Sequence, residues 1–83
     1  MEQRLDVSAL EPCEPMERTL KALRDLQPGD YLRVLHRREP RLLYPMLDEG
    51  GFQWHCRQGK ETAFEVFIWH KGDVDAQNQI NDL

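Results

Sequence analysis

With 83 residues, 40% of them hydrophobic and 31% charged, the chain has the composition of one small folded domain with a single modest core rather than of a disordered segment. A formal net charge of −4 argues against non-specific nucleic-acid binding, which draws its affinity from basic side chains that displace counterions. The two cysteines are far apart and form no CxxC pair, so neither a metal finger nor a disulfide scaffold is expected, and no apolar run reaches membrane-spanning length.

Leu5-Asp6-Val7-Ser8 alternates apolar and polar side chains, which predicts a short strand with Leu5 and Val7 on the core side. Leu10 then leads into Glu11-Pro12-Cys13-Glu14-Pro15, where two prolines restrict the backbone on either side of a cysteine. Pro15 reads as the first helical residue, with Cys13 and Glu14 at the boundary. A thiol at the amino end of a helix meets unpaired N–H groups and the positive end of the dipole, both of which favour a nucleophilic thiolate. Glu14 and Glu17 oppose that effect, because nearby negative charge disfavours a second anion. From there Met16, Leu20, Leu23 and Leu26 recur at helical spacing, and Gln27-Pro28-Gly29-Asp30 stops the helix.

Tyr31-Leu32-Arg33-Val34-Leu35-His36 predicts a second strand, parallel to the first because the two are joined through a helix. Residues 41–49 predict a second helical segment in which Leu42, Leu43, Met46 and Leu47 cover the core. Pro45 implies either a kink or a tight turn before a helix that begins near Tyr44. Residues 52–57 and 64–70 read as two further strands around a hairpin loop at Gln58-Gly59-Lys60-Glu61. The expected fold is α+β, a two-layer α/β sandwich of order βαβαββ, with a four-stranded mixed sheet and two helices on one face. The domain spans residues 5–71, and residues 72–83, poor in large apolar side chains, read as a disordered tail. Both faces of the predicted strands are apolar. Phe67 and Trp69 with Tyr31 or Leu35 are therefore expected to form an uncovered apolar interaction surface on the open side of the sheet.

Leu5-Asp6-Val7, Leu10, Glu14-Pro15-Met16 and Gln27-Pro28-Gly29-Asp30 resemble the TusA/SirA-like sulfur-carrier superfamily, which opens with a strand, a C-P-x-P turn and a helix. The run from His36 through Arg41-Leu42-Leu43-Tyr44-Pro45-Met46-Leu47 is similar to a TusA-related bacterial domain of unknown function. The resemblance covers residues 5–69 and implies a mixed sheet. It also implies a persulfide on the motif cysteine, passed to a partner protein, with no cofactor. Here the motif reads Pro12-Cys13-Glu14-Pro15, so the thiol stands one residue later than in the superfamily and Pro12 occupies the cysteine's place.

Two functional expectations follow. In the first, Cys13 is the acceptor thiol of a sulfur-relay or redox module. In the second, the domain binds a protein or a small anion, using the open sheet face or the region of His36, Arg37, Arg38, Glu39, Arg41 and Tyr44. His36 ends a parallel strand beside a helix start, where α/β folds place ligands. Arg37, Arg38 and Arg41 supply cationic groups suited to a phosphate or carboxylate, or else form a solvated face balanced by Glu39 and Asp48. His36, His55, His70 and the cysteines have no metal-ligand spacing, so no metal is expected; Cys56 reads as a buried or edge thiol beside Trp54. Weak self-association is expected of the apolar sheet face. The amino terminus Met1-Glu2-Gln3-Arg4 lacks the apolar core of a signal peptide, and cytoplasmic residence with reduced thiols is expected.

Overall fold

The computed structural model describes residues 1–11 and 13–83. Seven elements follow one another: β1 (Glu2–Asp6), α1 (Glu14–Arg24), β2 (Tyr31–His36), α2 (Leu43–Glu49), β3 (Phe52–Gln58), β4 (Phe64–His70) and α3 (Val74–Asn81). The strands form one mixed sheet of order β1-β2-β4-β3, with β1 parallel to β2 and the other two pairs antiparallel. Among the described residues no helix is long and apolar enough to cross a membrane.

Alternation along the strands divides the sheet into two faces. Leu32, Val34, Val66 and Ile68 point to one side and are buried with Leu23 in the last turn of α1, Leu26 just after it, and Leu43 and Leu47 of α2. This is the main core, and it carries both predicted helices on one face. The first strand lies earlier than the alternation of residues 5–8 predicts. Glu2 already pairs with Tyr31, and the strand ends where Asp6 Oδ1 accepts hydrogen bonds from Ser8 N at 2.9 Å and Ser8 Oγ at 2.6 Å. That side-chain turn draws the chain out of the ladder. Pro45 sits in the first turn of α2, where its missing N–H has no helical partner to lose, so a tight turn at Arg41 and Leu42 precedes the helix.

The opposite face differs from the expectation in two ways. Residues 74–81, expected to be disordered, form helix α3. Ala76 and Ile80, one helical turn apart, pack against Tyr31, Phe67 and Trp69. Asp73 caps this helix by accepting from Ala76 N at 3.1 Å. The apolar interaction surface predicted from Tyr31, Leu35, Phe67 and Trp69 is therefore not exposed: each of the four is at most 4% accessible. Where α3 does not reach, charged side chains cover the face. The guanidinium carbons of Arg33 and Arg57 lie 5.0 Å and 4.8 Å from the centroid of the Phe67 ring. Arg57 is paired with Glu65 at 3.1 Å, and Arg33 Nε lies 3.0 Å from Glu2 Oε1 as an ion pair without hydrogen-bond alignment.

Candidate functional site

The amino end of α1 and the carboxyl ends of the parallel strands β1 and β2 meet at one edge of the main core. Ligands in open α/β sheets settle at such carboxyl ends. Here the chain leaves a cleft of about 640 Å³, within the size range of small-molecule sites. Val7 and Leu10 follow β1, Cys13, Pro15, Met16, Glu17 and Leu20 come from the start of α1, and His36 through Leu43 close the other side. The walls are mainly hydrocarbon. Leu42, 81% exposed, stands at the mouth.

His36 is the last residue of the central strand β2 and shares the helix-covered face with Leu32 and Val34. It is 4% accessible, and its Nε2 is buried with no hydrogen-bond partner. Burial pushes its pKa down to about 4, so the imidazole is neutral near pH 7. An unsatisfied buried nitrogen costs about 1–3 kcal/mol, which a ligand atom at the right place would recover.

Arg37 and Arg38 extend from His36 into solvent beside the cleft, and neither has an ion-pair partner among the described residues. Arg41 pairs with Glu39 at 3.0 Å. The sequence-predicted group is thus brought together at His36, Arg37, Arg38, Glu39 and Arg41, with Cys13 across the cleft. Tyr44 does not line the cleft and joins the group only through Glu39. Its hydroxyl donates to Glu39 Oε2 at 3.2 Å, while its ring stacks on Trp54 at 3.7 Å between centroids and 6° between planes. Burial drives the Tyr44 phenol far above its ordinary range and also raises the neighbouring Cys56 thiol, so both stay neutral there.

Cys13 is exposed and precedes the first residue of α1, but its side chain makes no capping hydrogen bond. Its backbone has φ 79°, which no other described non-glycine residue adopts. Glu14 N donates to Glu11 O at 3.2 Å, closing the turn in which Cys13 takes a conformation normally left to glycine. Pro12, which the resemblance aligns with the carrier cysteine, lies outside the described residues.

The apolar walls were not legible as a site, because Met16, Leu20 and Leu43 have the same spacing as core residues. The adjacent pair Leu42-Leu43 holds the one usable signal, since a single helical face cannot bury both. A second, polar depression of about 290 Å³ on the far face is lined by Arg4, Arg33, Arg57, Lys60, Glu61, Glu65 and Leu83. Its arginines are ion-paired: Arg4 with Glu61, Arg57 with Glu65 and Arg33 with Glu2. Among the described residues no three His, Cys, Asp or Glu side chains converge to hold a metal ion.

Residues 4–70 match the family described as an uncharacterized conserved protein (DUF2249), and the chain belongs to that family. No curated protein and no solved structure is matched by the chain.

Proposed function

We propose that this member of the family is a binding module that takes a small ligand into the cleft between the start of α1 and the 36–43 segment. The observation that carries the reading is His36: a residue in the wall of a roomy, mainly apolar cleft whose ring Nε2 is buried without a hydrogen-bond partner. Buried polar atoms are nearly always satisfied, and unlike Arg33 Nε, which stands against Glu2, His36 Nε2 has no ion-pair partner among the described residues to account for its state. Apolar walls with a few convergent polar groups are the usual composition of a ligand site. The test is a titration of the full chain with an apolar fluorescent dye, followed by nuclear magnetic resonance. Shifts grouped on Val7, Leu20, His36 and Leu43 are expected. Shifts grouped on Tyr31, Trp69 and α3, or none at all, would remove the reading.

Cys13 favours a second reading, a sulfur-relay module, through its exposure on the same cleft and its strained backbone. The resemblance of residues 5–69 to sulfur carriers supports it. In that chemistry the Cys13 thiolate attacks the outer sulfur of a donor persulfide: a new S–S bond forms at Cys13, the donor S–S bond breaks, and the donor leaves as a thiolate. Incubation with a persulfide donor should add the mass of one sulfur atom to the chain and nothing to Cys13→Ser. An unmodified Cys13, under conditions that load a known carrier, would exclude this role.

A further inference from the structure

The cleft carries more information than its volume, and this inference rests on the binding reading above. We infer that the ligand is an amphipathic anion, of the class of an aliphatic carboxylic acid, with its head beside His36 and its hydrocarbon body along α1. Three observations fix the class and the orientation. The hydrocarbon of Leu10, Met16, Leu20 and Leu43 lines most of the space, which a bare phosphate or sulfate leaves unfilled.

The only uncompensated cations beside the cleft among the described residues are Arg37 and Arg38, which directly follow His36 in the chain. A carboxylate there meets guanidinium donors next to His36, the wall residue whose Nε2 has no hydrogen-bond partner among the described residues. The opposing charges set the direction. Glu39 is already engaged by Arg41 and by the Tyr44 hydroxyl, whereas Glu17 is exposed on the α1 side and repels an anionic head placed there. The head therefore lies toward the 36–38 segment, and the tail runs beneath α1.

The experiment titrates the full chain separately with decanoate, decanol and inorganic phosphate, below the concentration at which decanoate forms micelles. The readouts are methyl shifts of Leu20 and Leu43 and the imidazole nitrogen shifts of His36. Decanoate is expected to move both sets and to bind about tenfold more tightly than decanol. In Arg37→Gln/Arg38→Gln, both exposed positions, decanoate should weaken to the affinity of decanol while decanol is unchanged. Equal binding of decanol and decanoate by the unaltered chain overturns the anionic head but leaves the cleft reading intact. Phosphate binding as tightly as decanoate overturns the apolar body. Loss of all three, with the dye still mapping to the cleft, overturns the ligand class alone.

Discussion

Asp73 Oδ2 accepts a 2.7 Å hydrogen bond from the backbone N–H of Gly29, 44 residues earlier, and so ties the cap of α3 to the turn that ends α1. Gln79 closes the same clamp from the next turn of α3, donating to Gly29 O at 2.8 Å. The Gly29 and Ala76 amides hold the Asp73 carboxyl below its ordinary value of 3.8. A depressed carboxylate contributes stability that is complete above the unfolded value and is lost as pH falls through the folded one. Hydrogen exchange should therefore show α3 and the Gly29 amide opening together once pH drops below about 3.8. At neutral pH, Asp73→Ala should already lose that protection, with β2 and β4 retaining theirs. Unchanged exchange at Gly29 in the variant would show that the clamp does not hold the helix.

His36 has the opposite chemistry and a different window. Its folded value of about 4 lies below the ordinary 6.5, so between those limits the unfolded chain binds more protons than the folded one. Stability is complete above about pH 6.5 and falls as the pH is lowered toward 4, by an upper limit of roughly 3 kcal/mol. Urea midpoints at pH 7 and pH 5 measure this. His36→Leu should flatten the change between those two points, and at pH 7 it should be neutral or stabilising because an unpartnered nitrogen is removed. A variant with the full pH dependence of the parent would place the titration elsewhere.

Cys13 is held at φ 79° against the preference of a side chain with a Cβ. Relief of a left-handed conformation is worth about 1–2 kcal/mol, and glycine returns about 0.5–1 kcal/mol of that as unfolded-chain entropy. Cys13→Gly should therefore raise stability by about 0.5–1 kcal/mol, read as a higher urea midpoint with an unchanged slope. A lower midpoint would mean that the thiol makes a stabilising contact.

Gly59 is required for a different reason, space rather than dihedral freedom. A Cβ there would collide with the Thr62 backbone carbonyl oxygen, in a loop that Gly59 N closes by bonding to Ala63 O at 3.1 Å. Since backbone is the obstacle, Gly59→Ala should cost about 1–3 kcal/mol by denaturant unfolding. A loss below a few tenths would mean that the hairpin loop shifts freely.

Three strands and two of the helices were legible because their apolar periods are clear, as in Leu20, Leu23 and Leu26 or in Phe64, Val66 and Ile68, whereas the polar start of β1 at Glu2-Gln3-Arg4 has no such period and shifted that strand's bounds. Helix α3 was not. It rests on two anchors, Ala76 and Ile80, and on a cap whose second partner lies 44 residues away, which no local window contains. The apolar character of Phe67 and Trp69 was read correctly, but their exposure was not, since the cover comes from α3 and from arginine side chains of neighbouring strands. At the candidate site the polar members could be picked out as a charged turn after a strand. Tyr44 reaches them only through Glu39, and the stacking that orients its ring on Trp54, on another strand, had no local signal. The unsatisfied state of His36 is a property of packing and has no signature in the chain.

The guanidinium cover over Phe67 bears on how the molecule meets company. Arg33 and Arg57 each stand against a carboxylate as well as against the ring, so the face cancels its own charge while hiding its aromatic surface. A second copy laid flat on it would have to strip water from those pairs before gaining any apolar area, and desolvation of that kind seldom yields a profit. On this side the domain has its charges balanced by its own side chains, and Arg37 and Arg38, on the other, stand without a carboxylate partner among the described residues.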